Sequence, residues 1–220
     1  MTIESLVDYS RKYIEKAIIS GVLSPGQQIR EEYISSRLEI SRPPIRQAFE
    51  ILIAEGLATR KPRRGVFVSD MTEKDVWEVY TLKACLYEFA FSLAIDDMTD
   101  EDIAELENVI HDMEECIKKE PINIDKYQDL NMDFHINIIL DISGHERLRK
   151  IMDTLENQTK RMSFKNLQDR DYLLSSFQYH KQIFEAIKLK DKVLFGRLCR
   201  KHIFRGMRLK QKAVKELQQK

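Results

Sequence analysis

The sequence predicts a mainly α-helical chain in two parts, and three observations carry that reading. Glycine and proline number only 7 and 5 in 220 residues, and most of them fall before residue 66. Two short β-prone runs, "LATR" and "GVFV", flank the turn "KPRRG". From Thr72 onward the apolar residues recur at three-to-four spacing, the period of a helix.

The elements can be justified in order. In residues 4–20, Leu6, Tyr9, Tyr13, Ala17 and Ile18 make one apolar helical face, and "SGVLSPGQQI" ends it. Residues 31–38 and 42–55 read as two further helices separated by "EIS". Ser41 suits the N-cap of the second, and Pro43 and Pro44 fit its first turn, where a missing amide donor costs nothing. The hairpin comes next. Three helices and a small β-hairpin wing make a winged helix-turn-helix over residues 1–70. Residues 71–220 then hold predicted helices over 72–94, 100–119, 124–142, 146–166, 171–189 and 191–217, an all-helical bundle of about six helices.

Hydrophobic residues make up 43% of the chain, ample for a buried core. No run approaches the roughly 18 apolar residues that a membrane helix needs. The N-terminus lacks the basic start and apolar middle of a signal peptide, so a cytoplasmic protein with no membrane partner is expected. Cys85, Cys116 and Cys199 lie far apart without a CxxC pair, and are expected to be reduced core residues.

Lys/Arg and Asp/Glu balance at 36 each, but not along the chain. Residues 71–159 hold 8 Lys/Arg against 22 Asp/Glu, and residues 160–220 hold 17 against 5. Acidic helices packed beside basic ones explain this more simply than a nucleic-acid role for the basic end.

Ser41 to Val68 carries six Lys/Arg against two Glu. In a helix-turn-helix the second helix enters the major groove with its N-terminal residues at the base edges. Arg42 and Arg46 stand one turn apart there, and arginine can bond both O6 and N7 of guanine. Ser41 and Gln47 could add phosphate or base contacts. At the wing, Arg63 and Arg64 could follow the backbone or reach a minor groove, with Gly65 allowing close approach. Such charges are often merely solvated. Their position at a helix start and a hairpin tip favours double-stranded DNA as the partner.

These residues carry a resemblance. Gly21, Leu23, Pro25 and Gly26, then Ser41, Arg42, Pro44, Arg46 and Ala48, then Leu52, Glu55, Gly56 and Leu57, then Arg64, Gly65 and Val68 stand at the spacings of the GntR family's winged helix. The stretch resembles that family of bacterial transcription regulators across nearly all of residues 10–68. Glu39 departs from it, where the family usually has glycine before the turn.

Residues 72–215 resemble the ligand-binding domain of the FadR subfamily, the FCD type. That resemblance implies a divalent metal held by an Asp and a His one turn apart and by two later His. The corresponding residues here are Asn131, His135, His180 and His202, with asparagine in place of the aspartate. Asp133 cannot substitute, because a two-residue offset points about 200° around the helix. Three imidazoles and one weak amide oxygen still make a divalent site with open positions, for zinc, manganese or nickel. His111 and His145 are read as structural.

The resemblance also implies a small carboxylate metabolite anchored by the metal and helped by an arginine of the domain's first helix. Lys83 stands at that position, a point charge without the bidentate fork. Arg161 and Arg205 are further effector-binding candidates. The expected protein is a homodimer, not an enzyme, that reads a short inverted repeat under effector control, with "SDMTEKD" as the transmitting linker. Two alternatives stay open. One is a sensor in which the metal is itself the signal; the other is a metal-dependent hydrolase, for which no carboxylate general base stands out.

Overall fold

The computed structural model describes residues 5–70 and 72–218, with the side chains of all of these except residues 136–138, 161 and 210–218. The described chain forms two compact units. One comprises residues 1–72 with 156–162, and the other residues 73–155 with 163–220.

In the first unit the order is α1 (Leu6–Ile19), β1 (Gln28–Ile29), α2 (Glu31–Leu38), α3 (Arg42–Ala54), β2 (Ala58–Lys61) and β3 (Gly65–Val68). The apolar stripes converge, so that Ile14, Ile18, Ile34, Ile45, Phe49 and Leu52 are all buried in one core. Burying each such side chain contributes roughly 1.5–3 kcal/mol. The expected two-stranded wing is a three-stranded antiparallel sheet in the order β1-β3-β2. β1 adds Gln28 opposite Phe67 and Ile29 opposite Val66. Two residues are too few to show an alternating pattern, which is why the strand escapes a reading by periodicity.

Two backbone details set the reading head. α2 ends on Glu39 in the left-handed region (φ 57°, ψ 33°), so the turn keeps its usual shape without glycine, at a steric cost to a residue with a Cβ. Ser41 occupies the N-cap of α3 with extended backbone, yet its side chain makes no capping bond. The expectation of a side-chain cap fails for a clear reason. A cap hydroxyl accepts from the second or third helical amide, and those positions are Pro43 and Pro44, which have no N–H to give.

The second unit is helical throughout: α4 (Glu73–Ala94), α5 (Asp100–Lys118), α6 (Ile124–Met132), a π turn (Asp133–Asn137), α7 (Ile138–Ser143), α8 (Glu146–Leu167), α9 (Arg170–Lys188) and α10 (Lys192–Gln218). α4 already begins at Glu73, so the last three residues predicted as linker belong to its first turn, and Met71 lies outside the described residues. Thr99 and Asp102 close a capping box at the start of α5, with bonds of 3.2 and 2.8 Å. Met113, Cys116, Tyr127, Leu173 and Phe177 bury one core between α5, α6 and α9. Phe91 of α4 stacks on Phe195 of α10, with ring centroids 3.7 Å apart.

The charge asymmetry has a structural expression. Lys192 pairs with Asp96 at 2.9 Å, and Arg200 with Glu88 and Arg170 with Glu120 join the basic end to the acidic middle in the same way. Of the three cysteines only Cys116 and Cys199 are buried as expected; Cys85 is exposed on α4.

Candidate functional site

The residues predicted to hold a metal come together. His135 sits at the middle of the π turn, His180 on α9 and His202 on α10. One ligand nitrogen from each ring lies within 4.8 Å of the others. His180 is fully enclosed, His135 nearly so, and His202 half-buried. The predicted helix over 124–142 is therefore broken, because five residues wind as a π turn that carries His135. Such turns occur often at functional sites.

Electrostatics keep all three rings neutral. Burial pushes each pKa down, most directly by penalising the charged form. The neighbouring imidazoles add to this for His135 and His180, and Lys83 adds to it for His135. His202 is pushed down to about 3 by burial, then by Lys83 and Arg205. Neutral imidazoles offer lone pairs, which a metal ligand needs. His135 Nε2 and His180 Nε2 are 2.8 Å apart. Two bare lone pairs would repel at that distance, so a shared proton or a common cation must lie between them. The far nitrogen of His180, Nδ1, is 3.5 Å from the buried Tyr127 hydroxyl, the kind of outer partner that orients a ligating imidazole. The residues present therefore fit a divalent ion.

Beside the rings lies a cavity of about 40 Å³, lined among others by Lys83, Asn131, Tyr172 and Ser176. Asn131 and Lys83 thus line this cavity, and Asp133 does not. Arg205 is not in it either. Its guanidinium lies over the Tyr172 ring at 4.7 Å, one layer back, and its Nη1 is buried with no hydrogen-bond partner among the described residues. The Arg161 side chain lies outside the described residues. His145 caps α8 by accepting from the Leu148 amide at 3.2 Å, a structural role as expected.

At the other end of the chain, Ser41, Arg42, Arg46 and Gln47 are all exposed along the start of α3. Both arginines are already engaged. Arg46 Nε donates to Glu31 at 2.7 Å, and Arg42 Nη2 donates to Glu32 at 2.9 Å. With its capping role cancelled by the proline pair, exposed Ser41 makes no capping bond. At the wing, the Arg64 amide bonds Lys61 O at 3.0 Å, with Pro62 and Arg63 between them and Arg63 left-handed (φ 59°), as a type II turn requires. Gly65 follows at φ 95°, and a Cβ there would meet Gln28 Nε2 at 3.3 Å. Gln28 in turn donates to Arg64 O at 2.7 Å, and the Arg64 guanidinium lies 5.8 Å from the Phe67 ring.

Residues 78–205 match the model of the FCD domain, and residues 11–68 match that of the bacterial regulatory proteins of the gntR family. The chain belongs to the GntR family, with an FCD domain. It is a DNA-binding transcription regulator. Among curated relatives, the HTH-type transcriptional regulator YdhC of Bacillus subtilis is 27% identical over 179 residues, covering 81% of this chain and 79% of that protein. The gluconate operon transcriptional repressor of Bacillus licheniformis is 28% identical over 184 residues, covering 80% and 73%. Among solved structures, Escherichia coli McbR/YncC superposes with a TM-score of 0.76 at 18% identity, covering 98% of this chain and 99% of that one, a likeness of fold.

Several residues of this GntR regulator's sites carry no signal in the sequence. Glu31 and Glu32 meet the arginines across two helices, and Tyr127 and Tyr172 reach the histidine cluster from separate elements. Only the folded chain brings them together.

Proposed function

We propose that this regulator acts in the cytoplasm as a homodimer, with residues 1–70 reading a short inverted repeat. Residues 71–220 would bind a divalent ion, zinc, manganese or nickel, and a small carboxylate metabolite. The convergence of His135, His180 and His202, buried and neutral beside a cavity holding Lys83, carries the reading. A divalent ion there supplies a Lewis-acid anchor for an anionic oxygen. Lys83 would contribute a positive charge to that cavity, and Asn131 a neutral amide. Effector binding changes DNA affinity only as far as it favours one dimer arrangement over another. Leu82, Cys85 and Phe89, exposed at i, i+3 and i+7 on α4, support a second copy of the chain as the partner of that face. Membership of a regulator family favours this reading over a hydrolase.

Competition titration against a chromophoric chelator tests the site directly. Wild-type protein is expected to bind one divalent ion per chain, and Asn131→Asp to tighten that binding by roughly tenfold or more, since a carboxylate is the better ligand. Equal or weaker affinity in the variant would remove Asn131 from the ligand set. For the DNA half, Arg46→Ala is expected to cost about 1–3 kcal/mol of specific binding and to relax preference at one base pair. Unchanged discrimination in a panel of single-base operator variants would show that Arg46 reads no base.

The size of the cavity favours a second reading. About 40 Å³ has room for an ion and roughly one to three waters, not for a sugar acid. On that reading the metal alone would be the signal. Operator affinity that follows free metal with no organic ligand present would establish that reading.

A further inference from the structure

The arginines of the recognition helix are held in two different ways. Among the described residues Arg46 is engaged through Nε, at 2.7 Å from Glu31 Oε2. Arg42 has its Nη2 on Glu32 at 2.9 Å and its Nε 3.8 Å from Glu31 Oε1. Glu31 is 24% exposed and Glu32 85% exposed. We propose that Glu31 is the positioning residue for base readout: it pins Arg46 by Nε, leaving both Nη groups as an open fork for guanine, whereas Glu32 holds Arg42 by a contact that gives way to phosphate.

The geometry supports each half. A guanidinium recognises guanine through two parallel N–H groups, and a bond to Nε leaves the Nη pair on the opposite edge available. Holding that edge in place before DNA arrives removes rotamer freedom that binding would otherwise have to remove. Glu31 can do this because it stands in the first turn of α2, where a negative charge is favoured. The backbone of α2 is also fixed against α3 through buried Ile34, Ile45 and Phe49. Glu32 shares that turn, but its side chain is almost fully solvated and so less constrained.

The same carboxylates act against indiscriminate binding. Glu31, Glu32 and Glu50 line the depression that also holds Arg42, Arg46 and Arg60. A phosphate backbone entering there meets three arginines whose charge the three carboxylates already balance, so its non-specific gain is reduced, while the Arg46 fork stays open to a guanine. The proposal rests on reading Arg46 as a base contact.

The experiment uses full-length protein, a duplex selected by the wild-type chain from a random library, the same duplex with each G·C pair changed in turn, and a random-sequence duplex. Glu31→Ala is expected to reduce discrimination at the pair read by Arg46 about tenfold and to raise affinity for the random duplex a few-fold. Glu31→Gln keeps an acceptor oxygen but removes the charge. It should retain most of the discrimination while raising random-duplex affinity. Unchanged discrimination in Glu31→Ala overturns the proposal. So does loss of discrimination in Glu31→Gln as complete as in Glu31→Ala with random-duplex affinity unmoved, the mark of a disturbed helix. If Arg46→Ala itself leaves discrimination intact, the base-contact reading falls first and this proposal with it.

Discussion

Replacing His180 by alanine is expected to weaken divalent-metal binding by more than about 100-fold while leaving DNA binding in the absence of effector unchanged. His180 is the fully enclosed member of the triad, and its Nε2 lies 2.8 Å from that of His135. Removing an outer partner of a metal ligand already costs about 10–100-fold, so removing the ligand itself should cost more. The alanine variant also leaves a void in a packed site, and His180→Gln provides the control that keeps volume and polarity while losing the imidazole. Metal affinity by competition and operator affinity by anisotropy separate the effects. Metal binding that survives in both variants would place the ion elsewhere, and operator binding lost in both would mean that the triad is needed for the fold.

Acid should destabilise the chelator-treated protein steeply. The three imidazoles are neutral when folded because burial holds their pKa values below 6.5, whereas in the unfolded chain each takes up a proton near 6.5. The unfolded state therefore binds more protons, and stability falls as pH drops below 6.5. For His202 the fall continues down to about 3, its folded value. Each histidine kept neutral costs about 1.4 kcal/mol per pH unit, so the three together approach roughly 4 kcal/mol per unit. Urea midpoints between pH 7 and 5 measure the slope, and His180→Gln should remove about a third of it. Equal slopes in the two proteins would mean that His180 is already protonated in the fold.

The helices of both units were legible in the amino-acid order because amphipathic spacing is a local property. The breaks at Gly26 and around Pro62 likewise mark real turns. What escaped has a common physical origin. β1 is two residues long and exists only because β3 offers it a partner. The Ser41 cap failed because the pattern names the acceptor and says nothing of the donors, which Pro43 and Pro44 lack. Asn131, His135, His180, His202 and Lys83 were legible through family spacing, and they meet. Arg205 packs over the Tyr172 ring and not in the cavity lining, because position on a helix does not say which neighbour a side chain meets. Glu31, fifteen residues from Arg46, belongs to the reading head through a crossing of two helices that no local period encodes.

The π turn also makes the histidine cluster a matter of counting. Five residues where an α-helix would wind fewer put α6 and α7 out of phase by about one residue, or roughly 100°. Which way the His135 imidazole faces is thus decided by how many residues lie between α6 and α7 as much as by which residues they are. Loss of Asp133 or Phe134 would change the phase of His135 against α6 with every ligand still in the chain. Such a chain would keep the whole motif and lose the three-histidine cluster.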